Sequence, residues 1–276
     1  MYKHIIYFLI GCPRTGSTYL HNVLKQNHGI NLLPKENHFF LKKNVLKRKY
    51  HYKRPNYHQK TQISYYLKKL DINKINYDIN THYFYDLDSL KTIKKIFPKS
   101  IFICFLRDPV KRHLSMSLNN IKKYYFYKGT GDFKFPISDF CDLKKSWVFK
   151  NEMLNLSNYD HYKKILKKNK INCKYYNSEH LFKNKKNYIK FLNDIKIKTF
   201  NSKLNYTKHS QKEYLIKLNN SSYFEKIKSL IFKKFYQKKV EDTVLQFKKN
   251  YPTEIVKKIF LKKDKNLSKY FKLLIH

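Results

Sequence analysis

Three short stretches of the chain carry residue types that can handle an anionic group in transfer. The first is Gly11-Cys12-Pro13-Arg14-Thr15-Gly16-Ser17-Thr18, whose two glycines have the spacing of a phosphate-cradling loop. Backbone N–H groups in such a loop, backed by the positive end of the following helix, surround an anion. The position where a nucleotide triphosphatase keeps its lysine is Ser17, and the cation stands inside the loop as Arg14, which argues against ATP or GTP hydrolysis. A loop cation suits a single 5′-phosphate whose bridging oxygen takes up charge as a bond breaks. The second stretch is the apolar run Ile101–Leu106, which ends in Arg107-Asp108-Pro109 and is followed by Ser115. An arginine at the carboxyl end of a parallel strand faces the same crevice as the loop. There it can grip a phosphate through bidentate, charge-assisted hydrogen bonds, with Ser115 adding a hydroxyl. A rival reading makes this a Walker B strand with Asp108 on Mg²⁺, but Pro109 directly after the acid and the missing lysine count against it. The third stretch, Pro34-Lys35-Glu36-Asn37-His38-Phe39-Phe40, offers Glu36 as a general base. His82, in Ile79-Asn80-Thr81-His82, offers a second.

Positioning these groups takes alternating strands and helices. His4–Ile10 reads as a buried strand, Gly11–Gly16 as a turn, and Ser17–Gln26 as a helix with Tyr19, Leu20, Val23 and Leu24 apolar. Leu87–Ile96 has helical periodicity and Pro98 stops it; Ser100–Leu106 reads as a strand, and Pro109 suits the first turn of the next helix. A third cycle follows in helix Tyr159–Lys168, strand Ile171–Tyr176 and helix Lys186–Leu192. This alternation predicts an α/β fold, a P-loop-type parallel sheet with helices on both faces. From Ser210 the pattern is helical and charged, with Ile227, Leu230, Ile231, Phe235 and Val240 as a buried stripe. The reading is one domain over residues 1–276, an α/β core of 1–200 and a helical C-terminal extension of 201–276. Lys42–Gln62 and Lys122–Phe135 lack periodicity and read as surface insertions, the second with Gly129 and Gly131 as hinges.

Composition narrows the classes further. The longest apolar runs, Ile5–Ile10 and Ile101–Leu106, are far short of the roughly 18 residues a membrane span requires. The N-terminus reads as free of a signal peptide, which leads to a cytoplasmic expectation. The four cysteines, Cys12, Cys104, Cys141 and Cys173, show no Cys-x-x-Cys pair and read as free thiols. Cys12, near a helix N-terminus, is placed for a lowered pKa, although buried packing is the plainer reading. The net charge of +41 invites a nucleic-acid partner. However, lysine, asparagine, isoleucine and tyrosine are inflated together while arginine is scarce, as a coding sequence poor in G and C produces. No nucleic-acid partner is therefore expected, although a basic nucleic-acid-binding protein stays as a competing class. Trp147 reads as core or interface, and the twelve histidines show no pair at metal-ligand spacing, so no metal is expected.

With these motifs in hand, Phe8–Leu20 resembles the 5′-phosphosulfate loop of the sulfotransferase superfamily, in which a lysine or arginine occupies the place of Arg14. That resemblance implies 3′-phosphoadenosine 5′-phosphosulfate (PAPS) as the sulfuryl donor, its 5′ end held by Arg14, Thr15, Gly16, Ser17, Thr18 and Tyr19. Arg107 with Ser115 eight residues later is similar to the family's 3′-phosphate element. Lys35-Glu36-Asn37-His38-Phe39-Phe40 resembles the Lys-Glu-x-x-Phe-Phe segment of the glycan-modifying, heparan-sulfate-type branch and its bacterial relatives, which implies Glu36 as base and a carbohydrate hydroxyl as acceptor. Lipid, phenol and protein tyrosine acceptors stay open. Asn80-Thr81-His82 resembles the Lys-Thr-His of the cytosolic sulfotransferases, but Asn80 replaces the lysine on the leaving group, so Glu36 ranks above His82; Arg14 alone or Lys35 would take that lysine's part. Weaker likeness continues through Asn158–Tyr162, Tyr176–Phe182 and Phe191-Leu192, and more faintly at Asn205–Lys208. A P-loop kinase, binding ATP with Mg²⁺, is the alternative enzyme.

Overall fold

Ile6, Tyr7, Phe8 and Leu9 are all buried, so the first strand, β1 (Ile6–Leu9), is covered on both faces, and its unbroken apolar run is what a central parallel strand requires. The computed structural model describes residues 4–41, 63–127, 158–197, 241–256 and 258. The elements that follow are α1 (Ser17–Lys25), β2 (Ile30–Leu32), α2 (Ile63–Leu67), β3 (Ile75–Ile79), a 3₁₀ turn (Tyr83–Tyr85), α3 (Leu87–Ile96), β4 (Ile101–Leu106), α4 (Pro109–Tyr127), α5 (Tyr159–Lys168), β5 (Cys173–Asn177), α6 (Ser178–Lys183) and α7 (Lys185–Asp194). Residues 241–250 are also helical. The five strands form one sheet in the order β2-β3-β1-β4-β5, and every pair is parallel. The expected α/β architecture is the observed one.

Alternation along each strand supplies two cores. Ile6, Phe8, Phe102 and Cys104 face one side, where they meet Leu90, Ile93 and Phe97 of α3 and its C-terminal end. Tyr7, Leu9, Ile103 and Phe105 face the other, against Leu20 and Leu24 of α1 and Phe191 and Leu192 of α7. Val110 and Ile121 of α4 belong to the first core. Adjacent strands β1 and β4 thus send their following helices to opposite faces, which opens a crevice at the carboxyl edge between them. Phe247 and Val256, from the C-terminal portion, also pack into the first core.

Asparagine, abundant by composition, is used here as a helix cap. Asn158, Asn177 and Asn184 each accept a first-turn N–H at the start of α5, α6 and α7, an interaction that contributes about 1 kcal/mol per helix. In α4 the structure corrects one expectation: residues 122–127, read as part of an insertion, continue the helix to Tyr127. Once a helix has begun, propagation adds a hydrogen bond per residue, and Lys and Tyr do not oppose it. The expected 42–62 insertion, residues 128–135, Cys141, Trp147, Asn205–Lys208 and the Ile227–Val240 stripe lie outside the described residues. Among the described residues no helix is long and apolar enough to cross a membrane.

Candidate active site

Where β1 ends, the chain must pass within backbone contact of β4. A Cβ on Gly11 would lie 2.4 Å from Phe105 N and 2.7 Å from Cys104 Cα, so glycine is required by space. Beyond it the loop turns back through Arg14 at φ 69° and Gly16 at φ 91°, and Thr15 Oγ1 closes the turn by donating to Cys12 O at 2.6 Å. Gly16 is doubly constrained, because a Cβ there would also meet Phe182 Cε2 at 2.4 Å. Gly16 caps α1 with no side-chain hydrogen bond. By helix geometry the first-turn N–H groups of Ser17 and Thr18 have no acceptor inside the helix, which leaves main-chain donors at the junction of loop and helix. Tyr19, also expected at the 5′ end, packs edge to face on Phe182 with ring centroids 5.3 Å apart and lies beside Tyr188; burial raises its phenol pKa.

The two arginines singled out by sequence meet at the carboxyl edge of the sheet. Arg107, the residue after β4, donates from Nη1 to Arg14 O at 3.2 Å. Arg14 in turn reaches α4, where its Nε donates to Ser115 Oγ at 3.2 Å and its Nη1 to Asn119 Oδ1 at 3.4 Å. Arg14, Arg107 and Ser115 are therefore contiguous. Sequence reasoning missed Asn119 and Lys111, although their four-residue steps from Ser115 place all three on one face of α4. It also gave no function to Glu179, at the start of α6, whose Oε1 lies 3.6 Å from Arg107 Nε and 3.5 Å from Lys111 Nζ. Asp108 caps α4 instead, accepting from Lys111 N at 2.8 Å.

Glu36 and His82 approach the same edge from β2 and β3. Glu36 has φ 54° and His38 φ 52°, so the loop after β2 holds two non-glycine residues in the left-handed region. Main-chain and side-chain bonds fix it there. Glu36 N donates to Ile79 O at 2.8 Å, and Thr81 donates to both carboxylate oxygens, from Oγ1 at 2.8 Å and from N at 3.2 Å. Lys35 Nζ donates to Thr18 Oγ1 at 2.6 Å, tying the loop to the first turn of α1. Beneath, buried Asp78 accepts from Tyr66 OH at 2.7 Å and Asn37 Nδ2 at 2.8 Å. Burial raises its pKa from 3.8 to about 6, with those two hydrogen bonds opposing. The His82 ring stacks obliquely on His38, centroids 5.3 Å apart. The two candidate bases thus flank Thr81.

Behind the loop lies a buried polar layer. Arg112 is fully buried beside the Tyr159 ring, 5.7 Å from its centroid. Its charge and burial act on neighbours: burial and then Arg112 lower the His113 pKa from 6.5 to about 3. Burial pushes the Cys12 thiol up, but a hydrogen bond with Cys104 and the Arg112 charge prevail and leave its pKa below the ordinary value. Cys12, Cys104 and Cys173 are free thiols. Among the described residues no group of three or more His, Cys, Asp or Glu is placed to hold a metal.

Comparison with known proteins gives this geometry its kinship. The sequence model of the sulfotransferase family matches residues 7–134, the segment that holds the loop, Glu36, His82, Arg107 and Ser115. No curated protein matches the chain. Among solved structures, a sulfotransferase from Alicyclobacillus acidocaldarius is similar in fold, with a TM-score of 0.51 over 79% of this chain and 92% of that one, at 13% identity. The resemblance read from the loop and the strand-end arginine thus has beside it a match of residues 7–134 to the sulfotransferase family's sequence model and a similar fold.

Proposed function

We propose that this protein transfers the sulfuryl group of PAPS to an acceptor hydroxyl, on a carbohydrate by the likeness of Lys35–Phe40 to the glycan-modifying branch. One observation carries the reading: Arg107 bonds the backbone of Arg14 while the Arg14 side chain reaches Ser115, so cations for two phosphates converge on one crevice. The cradle suits the donor's 5′ end, because two close-packed glycines and an uncapped helix start leave main-chain amides for an anion. PAPS, when bound, supplies a sulfuryl group already attached to a phosphate that can leave.

The residues of this chain would then divide the work. Thr15, Gly16, Ser17, Thr18 and the amide of Tyr19 hold the 5′-phosphate, and Arg14 stabilises the charge that grows on its bridging oxygen as the S–O bond breaks. Arg107 and Ser115 hold the 3′-phosphate. Glu36, oriented by Thr81, takes the acceptor hydroxyl's proton as the new O–S bond forms. His82, one residue beyond Thr81, is the second candidate for that proton. Fixed arginines and dipoles suffice for a sulfuryl group, which carries less charge than a phosphoryl group.

A thermal-shift comparison of 3′-phosphoadenosine 5′-phosphate (PAP) with ADP, each with and without Mg²⁺, tests the reading. Stabilisation by PAP, indifferent to Mg²⁺ and larger than that by ADP, is expected. Preference for ADP with Mg²⁺ would establish the kinase alternative.

A further inference from the structure

Glu179 is a carboxylate inside a cluster of cations, which is an odd place for one if the cluster exists to bind phosphate. A single oxygen, Oε1, lies 3.6 Å from Arg107 Nε and 3.5 Å from Lys111 Nζ. Neither distance is that of a good hydrogen bond; two cations straddle one oxygen. Topology sets this up. Leu106 pairs with Asn177 across β4 and β5, so the residues just past both strand ends, Arg107 and Glu179, emerge side by side. Asn177 fixes Glu179 by accepting its N–H at 3.0 Å, and Tyr159 OH fixes Arg107 by donating to its carbonyl at 3.0 Å. Lys111 begins the stripe Lys111-Ser115-Asn119 on α4, whose other two members hold Arg14.

Resting on the donor reading above, we propose that Glu179 is a built-in stand-in for the donor's 3′-phosphate. Its carboxylate keeps Arg107 and Lys111 together until the phosphate takes its position, which makes Lys111 a third 3′-phosphate ligand beside Arg107 and Ser115. A phosphate carries up to two charges and three terminal oxygens, so it can meet a guanidinium, an ammonium and a hydroxyl at once. The Glu179 carboxylate shares one oxygen between two cations and leaves Ser115 to Arg14. The Glu179 and Lys111 side chains are 20% and 50% exposed, so the displaced carboxylate can turn to water without being buried unpaired.

Calorimetric titration of the full chain with PAP and with adenosine 5′-monophosphate, at one ionic strength, tests the exchange. Glu179→Gln is expected to bind PAP more tightly, on the order of 5-fold, as when a half-exposed ion pair no longer has to be given up. Its affinity for adenosine 5′-monophosphate should stay unchanged. Lys111→Met should weaken PAP several-fold and leave the monophosphate alone. Weaker PAP binding in Glu179→Gln would show that the carboxylate merely positions Arg107, and an equal gain for both nucleotides would reduce it to a general field effect; either overturns the exchange. A wild-type protein that does not prefer PAP overturns the donor reading itself, whereas wild-type preference with an unaltered Glu179→Gln sinks only the exchange.

Discussion

Arg107 Nη1 donates to the carbonyl oxygen of Arg14 at 3.2 Å across 93 residues of sequence, so the tip of β4 and the loop after β1 are held together by a charged donor. On the proposed function, Arg107→Ala should therefore do more than remove one phosphate ligand. PAP affinity is expected to fall about 10- to 100-fold, the range for a lost charge-assisted hydrogen bond. Preference for PAP over ADP should vanish, and ADP affinity should also drop modestly as the loop loosens. Calorimetry with both nucleotides measures the two effects separately; retained preference removes Arg107 from the 3′-phosphate site.

The loop glycines should differ in how badly they tolerate alanine. At Gly11 the new Cβ meets main-chain atoms of β4, which cannot move without breaking the sheet, whereas at Gly16 it meets the Phe182 ring. Gly11→Ala should prevent folding or cost upward of about 3 kcal/mol by overpacking. Gly16→Ala should fold with a cost of about 1–3 kcal/mol for its left-handed backbone. Urea denaturation of the two variants ranks them, and the reverse order would contradict the space argument.

Assignment of the base turns on Glu36, Thr81 and His82. Glu36→Gln is expected to lose sulfuryl transfer by about 100-fold or more while PAP affinity is kept. Thr81→Val deletes the hydroxyl donor to Glu36 and should lower turnover about 10-fold by freeing the carboxylate, again with nucleotide binding intact. His82→Ala should have the smaller effect. Single-turnover rates with a common acceptor decide, and a collapse in His82→Ala alone would transfer the role to the histidine.

Acid stability should report two buried groups of opposite sign. His113 has a folded pKa of about 3 against 6.5, so the unfolded chain takes up its proton first, and stability is lost as pH falls through that window. Asp78, raised from 3.8 to about 6, prefers its protonated form when folded, so its contribution grows as pH falls from about 6. Between pH 6.5 and 6 both already act, with opposite sign, and the histidine's change is the larger. The His113→Asn variant should lose less stability than the wild type between pH 7 and 5, by roughly 1–3 kcal/mol. Urea midpoints across that range check it; parallel curves for the two proteins would show that His113 does not titrate as described.

The loop was legible in sequence because glycine spacing, a preceding apolar run and a following helix all pointed the same way, and Arg107 was legible because it ends such a run. Strand β3 was not. Asn76 and Asp78 interrupt its apolar pattern, and their burial is met by Asn31, Asp71, Tyr66 and Asn37, partners from other segments that no local pattern announces. Lys111 and Glu179 escaped for a related reason: their meeting depends on the register between β4 and β5, which pairing fixes and periodicity does not. The charge excess hid them further, since one lysine among many carries no signal.

The close approach at Gly11 has a last consequence. Because main chain touches main chain there, the span between the loop and the β4 tip is a ruler made of peptide and independent of which side chains line the crevice. On the proposed function, substitutions around the rim can alter which acceptor is admitted, while the reach between the two phosphate-binding ends is gauged by the sheet itself.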